Sequence, residues 1–334
     1  MRQLITLFLL LFFVFQNIHA QQDAMFTKYM FNSLSYNPGY AGSREYLSVV
    51  ALYRNQWNGM DGAPVTQTFS VHSPLNERVG VGLNVTNDKV GVSGSTQANL
   101  SYAYRIPFGE GKVSIGVQAS FLNYRADFDR LNYKDPQDQD QSFRGSNVNF
   151  WAPNFGAGVF YYSEKFYAGF SAPHLLKSDL RKEEVNSRRW AQLYPHYFFT
   201  TGVAIPVQGD NLIFKPSILI KSVGLFGEFA SRSDNLLPIG APNEFDIDLS
   251  LLFYQALWVG ASFRSSFEAV VGSSSSVDSA DLWAMMHLRR GIRVGLAYDF
   301  TLTELQDYNN GSFEIMLGYD FNFKEKHIVT PRYF

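Results

Sequence analysis

The 334-residue chain contains no cysteine, which excludes disulfides, thiolate metal sites and a cysteine-linked lipid anchor. Charged residues are scarce, at 17% of the chain, whereas soluble domains average about a quarter. The formal net charge of −2 gives no reason to expect a nucleic-acid partner. No apolar run reaches the roughly 20 residues of an ordinary transmembrane helix, which is compatible with a membrane protein that crosses with strands.

The N-terminal residues have the pattern of a secretory signal peptide. Arg2 supplies a positive charge, Leu4 to Phe15 form an apolar stretch, and Ile18-His19-Ala20 offers a cleavage site before Gln21. We expect residues 1–20 to be a signal peptide that is removed on export. An uncleaved membrane anchor is the alternative.

Aromatic residues are abundant, at 16%, and apolar residues alternate with polar ones over most of the chain. In residues 292–300 every second position is Ile, Val, Leu, Tyr or Phe, and the same pattern fills 313–323. Alternation with period two predicts strands. Runs of ten or more suit tilted membrane strands, which need about 9–11 residues. The intervening Gly, Ser and Asn, with isolated charges, are typical of a packed polar lumen.

The alternation predicts about fourteen strands, an even number, as in single-chain bacterial barrels. Their predicted ranges are 48–54, 65–72, 78–87, 95–106, 111–124, 153–163, 165–172, 195–206, 211–222, 244–253, 256–265, 280–288, 291–300 and 311–323. Long and short links between these strands alternate along the chain. Residues 88–94 are predicted to be one of the long links. Pro216 predicts a bulge or kink, because proline lacks a ladder donor. The predicted fold is an all-β, transmembrane, antiparallel up-and-down β-barrel in the cell outer membrane.

Strand parity predicts short periplasmic turns, long extracellular loops and periplasmic termini. The predicted organisation is a signal peptide (1–20), an N-terminal segment (21–47), the barrel (48–323) and a periplasmic tail (324–334). The N-terminal segment holds too many apolar groups to remain in water. It is expected to plug the lumen or, alternatively, to dock a periplasmic partner. The residues expected to do so are Phe26, Tyr29, Phe31, Asn37, Pro38 and Tyr40.

Several short motifs follow one another along the chain. They are Asp23-Ala-Met-Phe-Thr-Lys-Tyr-Met-Phe-Asn-Ser-Leu34, Asn37-Pro-Gly-Tyr-Ala-Gly-Ser43, Tyr53-Arg-Asn-Gln-Trp57, Ala63-Pro-Val-Thr-Gln-Thr68, Asn87-Asp-Lys-Val-Gly91, Asn123-Tyr-Arg-Ala-Asp-Phe128, Gly311-Ser-Phe-Glu-Ile-Met316 and Pro331-Arg-Tyr-Phe334. Together they resemble the PorP/SprF family of type IX secretion system outer-membrane proteins of the Bacteroidota. The resemblance covers nearly the whole mature chain.

This resemblance implies a barrel that supports export, surface attachment or docking of a large adhesin-type client with a C-terminal sorting domain. Gliding-motility adhesins are the best-known clients of the family, and some members associate with periplasmic peptidoglycan-binding proteins. The alternative function is an outer-membrane channel or transporter for small or hydrophobic solutes. Outer-membrane lipid is the other expected partner.

Two further groups of residues are candidate sites. Trp57 begins an outer loop and is expected either to anchor at the membrane interface or to contact a client. Eight charged residues on the predicted inner face are expected to form ion-pair networks, or alternatively to line a conduction path. They are Arg54, Arg105, Asp246, Asp248, Arg264, Arg293, Asp299 and Glu314.

Catalytic and metal-binding patterns are weak in this sequence. The six histidines are scattered, and neither a Gly-x-Ser-x-Gly elbow nor a His-Glu-x-x-His motif occurs. Asp135, Asp138 and Asp140 offer carboxylate oxygens, but their loop lacks the glycine and distal glutamate of a calcium loop. We therefore expect no enzymatic activity, no cofactor and no resident metal, with calcium at 135–140 as the open alternative.

Overall fold

The structure of the chain is a computed structural model that describes residues 29–130, 148–176, 178–179, 192–193, 195–223, 243–266 and 277–321. The predicted signal peptide, Phe26, the acidic loop 135–140 and the predicted tail 324–334 lie outside the described residues. Within the described ranges, no helix is long and apolar enough to cross a membrane.

Fourteen strands form the wall of the structure. They are β1 (Ser48–Asn55), β2 (Val65–Pro74), β3 (Val79–Val90), β4 (Ser93–Phe108), β5 (Gly111–Ala126), β6 (Val148–Tyr162), β7 (Phe166–Ala172), β8 (His196–Val203, continued by Ile205–Pro206), β9 (Leu212–Val223), β10 (Glu244–Phe253), β11 (Leu257–Ser266), β12 (Ser279–His287), β13 (Ile292–Thr301) and β14 (Ser312–Asp320). Short 3₁₀ helices occur at Tyr29–Phe31, Ser33–Ser35, Pro38–Tyr40, Phe128–Arg130, Arg289–Gly291 and Glu304–Tyr308.

Each strand pairs antiparallel with its neighbours in chain order, and the sheet closes on itself. The first strand joins the last, with Ser48 opposite Asp320, and β8 joins β9, with His196 opposite Val223. Closure satisfies the edge backbone groups that lipid could not solvate. The predicted fourteen-strand up-and-down barrel is confirmed.

The two faces of the wall follow the alternation in the sequence. In β13, Leu296 is 55% exposed on the outer face, whereas Ala297 is buried. A Cβ placed on the neighbouring Gly295 would lie 3.0 Å from the Phe31 ring inside the barrel. The outer face therefore presents an apolar band, as lipid contact requires.

Replacing Leu296 with arginine should cost about 2–4 kcal/mol, because it places a charge in the apolar band. Urea titration of the refolded protein in lipid vesicles would measure this cost. Gly295→Arg is the matched variant on the inner face, where it should displace Phe31 and leave lipid insertion intact. Equal losses of insertion by the two variants would contradict the assignment of faces.

Short turns lie at the end of the barrel that carries Ser48 and Asp320, and long links lie mainly at the opposite end. These are called the short-turn end and the long-loop end. The predicted long loop at 88–94 is wrong, because β3 extends to Val90 and β4 begins at Ser93. Gly91 adopts a φ of +58°, which permits a two-residue turn there. The neighbouring strands project further than a bilayer crossing needs.

The bulge predicted at Pro216 is also wrong. Gly202 pairs with Ser217 and Ile205 with Phe214, so the register of β8 against β9 is the same on both sides of Pro216. Proline has no amide hydrogen to donate, and the interruption instead falls on β8, at Ala204. The Ala204 amide donates to the Lys165 carbonyl at 2.7 Å.

Candidate functional site

Residues 29–47, here called the luminal segment, lie inside the barrel near its short-turn end. Five of the six residues expected to plug the lumen lie in the described part of this segment and are buried: Tyr29, Phe31, Asn37, Pro38 and Tyr40. Leu34, between them, is only 1% exposed. Because the barrel covers these side chains, binding them to a periplasmic partner would require the segment to leave the lumen.

Hydrogen bonds connect the luminal segment to strands on several sides of the barrel. The contacts to β9, β2 and β7 are Tyr29 Oη with Ser217 Oγ at 2.7 Å, Asn32 Nδ2 to Ser70 Oγ at 2.7 Å, and Ser171 Oγ to the Tyr36 carbonyl at 2.7 Å. Burial raises the pKa of the Tyr29 and Tyr36 phenols. The segment is fixed by directional contacts as well as by apolar packing.

Aromatic contacts join the luminal segment to the wall. The Tyr40 ring meets His72 of β2 edge-on at 5.3 Å and Phe160 of β6 at 5.4 Å. The Phe31 ring meets Trp283 of β12 at 5.6 Å, also edge-on. Edge-to-face aromatic pairs at these distances contribute about 0.5–1.5 kcal/mol each beyond their burial.

Glycines on the inner wall let the backbone of the luminal segment approach the strands directly. A Cβ on Gly116 of β5 would overlap the Gly39 nitrogen and the Pro38 carbonyl. A Cβ on Gly80 of β3 would overlap the Ala41 carbonyl. The sequence interpretation had missed this role, although glycine inside a strand is a known signal of close backbone approach.

Arg105 and Arg44 fasten the luminal segment at the short-turn end. Arg105 Nη1 donates to the Gly42 carbonyl at 2.6 Å, and its Nη2 donates to the Asn76 carbonyl in the β2–β3 turn. Arg44 Nη1 lies 3.5 Å from Asp320 Oδ2 of the last strand. Arg105, predicted to enter an ion-pair network, thus binds backbone carbonyls of the segment and the turn.

All eight predicted luminal charges are buried on the inner face. Arg54 lies between two carboxylates, 3.1 Å from Asp299 Oδ2 and 3.8 Å from Glu314 Oε2. The other contacts are Arg264 with Asp246 at 2.7 Å, Arg293 with Asp320 at 3.0 Å, and Asp248 accepting from Ser262 at 2.5 Å and Trp283 at 2.6 Å. These contacts join strands that are adjacent in the wall or separated by one strand, so the charges hold the wall together.

Trp57 lies in the loop after β1 at the long-loop end. It adopts a φ of +51°, its side chain is half-buried, and its amide donates to Ser312 Oγ at 3.1 Å. This places the residue beside β14, near the rim. Both predicted roles, interfacial anchoring and client contact, stay predictions.

A cavity of about 100 Å³ separates the luminal segment from the long-loop end, with room for several waters. Tyr29 and Tyr36 line it on the side of the segment, and Gln97, Lys221 and Arg264 line it on the wall. Among the residues the structure describes, no cluster of three or more His, Asp or Glu could hold a metal ion.

Comparison with known proteins gives one match by sequence and several by structure. The sequence model of the family described as "Type IX secretion system membrane protein PorP/SprF" matches residues 18–319. No curated protein matches the chain.

The similar solved structures include Omp33 of Acinetobacter baumannii, with 9% identity, a TM-score of 0.47, and coverage of 84% of this chain and 100% of that chain. They also include Salmonella typhi OmpF in a complex with daunomycin, with 9% identity, a TM-score of 0.36, and coverage of 82% of this chain and 97% of that chain. A third is KdgM porin, with 7% identity, a TM-score of 0.37, and coverage of 82% and 99%.

Proposed function

The chain belongs to the PorP/SprF family of type IX secretion system membrane proteins, and we propose that it docks a secreted client at the long-loop end of its barrel. The client is a large adhesin-type protein with a C-terminal sorting domain, which the barrel helps to export or to retain at the cell surface. Gliding-motility adhesins are one candidate class. The proposal assigns no catalytic reaction to the chain.

The observation that carries the proposal is the position of the luminal segment. Its backbone contacts the inner wall at Gly80 and Gly116, and Arg105 and Arg44 fasten it at the short-turn end. A barrel whose lumen is occupied in this way is suited to docking and poorly suited to free diffusion of solutes. This arrangement favours docking over the alternative channel function.

A periplasmic peptidoglycan-binding protein is the partner proposed for the short-turn end. Support for this partner comes from the family alone, because the predicted docking residues Tyr29, Phe31, Asn37, Pro38 and Tyr40 are buried in the lumen. We propose that such a partner contacts the barrel without extracting the segment.

Deletion of the gene should remove at least one large adhesin-type protein from the cell surface, and the full chain expressed in trans should restore it. Quantitative mass spectrometry of surface-exposed proteins would measure both effects. An unchanged surface proteome after deletion would contradict the docking function. A large, steady conductance of the intact protein in planar bilayers would favour the channel instead.

A further inference from the structure

The barrel wall has a step between β6 and β7. β6 has 15 residues and β7 has 7, and their pairing ends at Ala157 opposite Ala172. Beyond that point β6 stays paired with β5, up to Val148 opposite Ala126. On its other side, no strand among the described residues pairs with 148–156.

Residues 173–176, which follow β7, bend toward the lumen. Gln118 Nε2 of β5 donates to the Pro173 carbonyl at 2.9 Å. Asn154 Oδ1 accepts the Leu175 and Leu176 amides at 3.0 and 2.9 Å, and its Nδ2 donates to the Leu176 carbonyl at 2.8 Å. This side chain holds the chain in its inward bend. Among the residues that the structure describes, nothing pairs with the edge of β6 above Asn154, from 148 to 153, and this stretch is here called the open edge.

Strand geometry identifies the backbone groups along this edge. The Phe155 carbonyl accepts the Leu175 amide at 2.8 Å, so Phe155 directs its backbone groups to the β7 side. Because these directions alternate along a strand, 153, 151 and 149 direct theirs to the same side. Pro153 has no donor to place there, which is the usual position for proline in an edge strand. Trp151 and Asn149 each present an amide and a carbonyl.

We propose that the open edge of β6 pairs with an extended segment of the secreted client, which adds a strand to the barrel wall. This inference rests on the proposed function and assigns it a site. The edge lies at the long-loop end, where a client on the cell surface would arrive. Trp151 and Phe155, which are 70% and 56% exposed on the outer face, would contact alternate apolar side chains of the added strand.

A second copy of this chain fits the edge less well. Two copies inserted in the same membrane share one orientation, so their β6 strands point the same way. Their edges could form only a parallel pair, which is less stable than an antiparallel one. A client segment has no such restriction, because it can approach in either direction.

Trp151→Pro tests the backbone pairing. It removes the amide of Trp151 from the open edge and leaves the ladder to β5 intact. Trp151→Ala is the matched control, because it removes the same side chain but keeps the amide. In a deletion strain expressing each full-length variant, Trp151→Pro should lower the surface client about five- to tenfold relative to Trp151→Ala. Equal client levels with the two variants would overturn the inference, provided that both show the heat-modifiable migration of a folded barrel.

Cross-linking tests the geometry directly, because the natural chain has no cysteine. Asn149→Cys would be oxidised against client variants that carry one cysteine at successive positions of the C-terminal sorting domain. Disulfides are expected at the client position opposite residue 149 and more weakly at the positions two residues before and after it, with none at the positions between, as in a paired strand. Leu296→Cys, on the fully paired β13, should form none. Absence of a two-residue period, or cross-linking only to a second copy of the chain, would overturn the inference.

These outcomes separate the inference from the proposed function. If deletion leaves all clients on the surface, the docking function itself fails. If deletion removes a client and Trp151→Pro restores it as well as the natural chain does, only the β6 edge is excluded.

Discussion

Arg54→Met should destabilise the barrel by about 3–5 kcal/mol, because it removes a buried cation that two buried carboxylates share. Arg54 is 2% exposed, and its guanidinium lies 3.1 Å from Asp299 and 3.8 Å from Glu314. These three residues belong to β1, β13 and β14, so their contacts span the junction where the first strand meets the last. Methionine replaces the aliphatic part of arginine but supplies neither charge nor donor.

Urea unfolding of the protein in lipid vesicles would measure the effect of Arg54→Met. The matched control is Arg289→Met, which removes an exposed arginine from a short turn and should change stability little. Combining Arg54→Met with Asp299→Asn and Glu314→Gln should recover part of the loss, because both carboxyl groups beside the lost guanidinium are then replaced by neutral amides. Unchanged stability of the single variant would show that the three charges are not buried together.

Gly116→Ala should expel the luminal segment from an otherwise folded barrel. The added methyl group would overlap the Gly39 nitrogen and the Pro38 carbonyl, which are backbone atoms that cannot rotate away. The wall is held by ladder hydrogen bonds on both sides of β5, so the segment is the part expected to move. The intact protein should conduct little in planar bilayers, and Gly116→Ala should produce a steady open conductance.

Protease sensitivity gives a second measurement of the same displacement. Arg44 is 9% exposed in the luminal segment and should become accessible to trypsin only when the segment leaves the lumen. Gly94→Ala is the matched control in β4, because a Cβ there comes no closer than 3.4 Å to its neighbours. A closed, trypsin-resistant Gly116→Ala protein would argue against the close contact between Gly116 and the luminal segment.

Most of the strand positions could be predicted because alternation is a local property of the sequence. β10 begins and ends at the predicted residues, Glu244 and Phe253. The errors arose where neighbouring strands decide the outcome. The loop expected at 88–94 is mostly strand, because β3 and β4 continue to pair with each other beyond the bilayer. β9 keeps one register against β8 on both sides of Pro216, because the break in regular pairing falls on β8 and not on β9.

Less of the candidate site could be predicted from the sequence. The inward direction of Arg105 follows from its place in an alternating strand, but its hydrogen bond to Gly42 requires the luminal segment to be in position. Gly116 is a glycine within a strand, which indicates close approach of another backbone. The sequence did not identify the segment that approaches it. Trp151 lies two residues before 153, where β6 was predicted to begin, so most of the open edge lay outside the predicted barrel wall.

The sequence by itself determined the barrel, the number of its strands, the face of most residues and the end of the barrel at which the short turns lie. It did so because side-chain direction alternates locally and because link length can be counted. Only the tertiary structure decided that Arg54 meets Asp299, that Pro38 lies on Gly116, and that no described strand pairs with the upper part of β6 on its β7 side. These outcomes depend on strand register and closure, which bring together residues far apart in the chain.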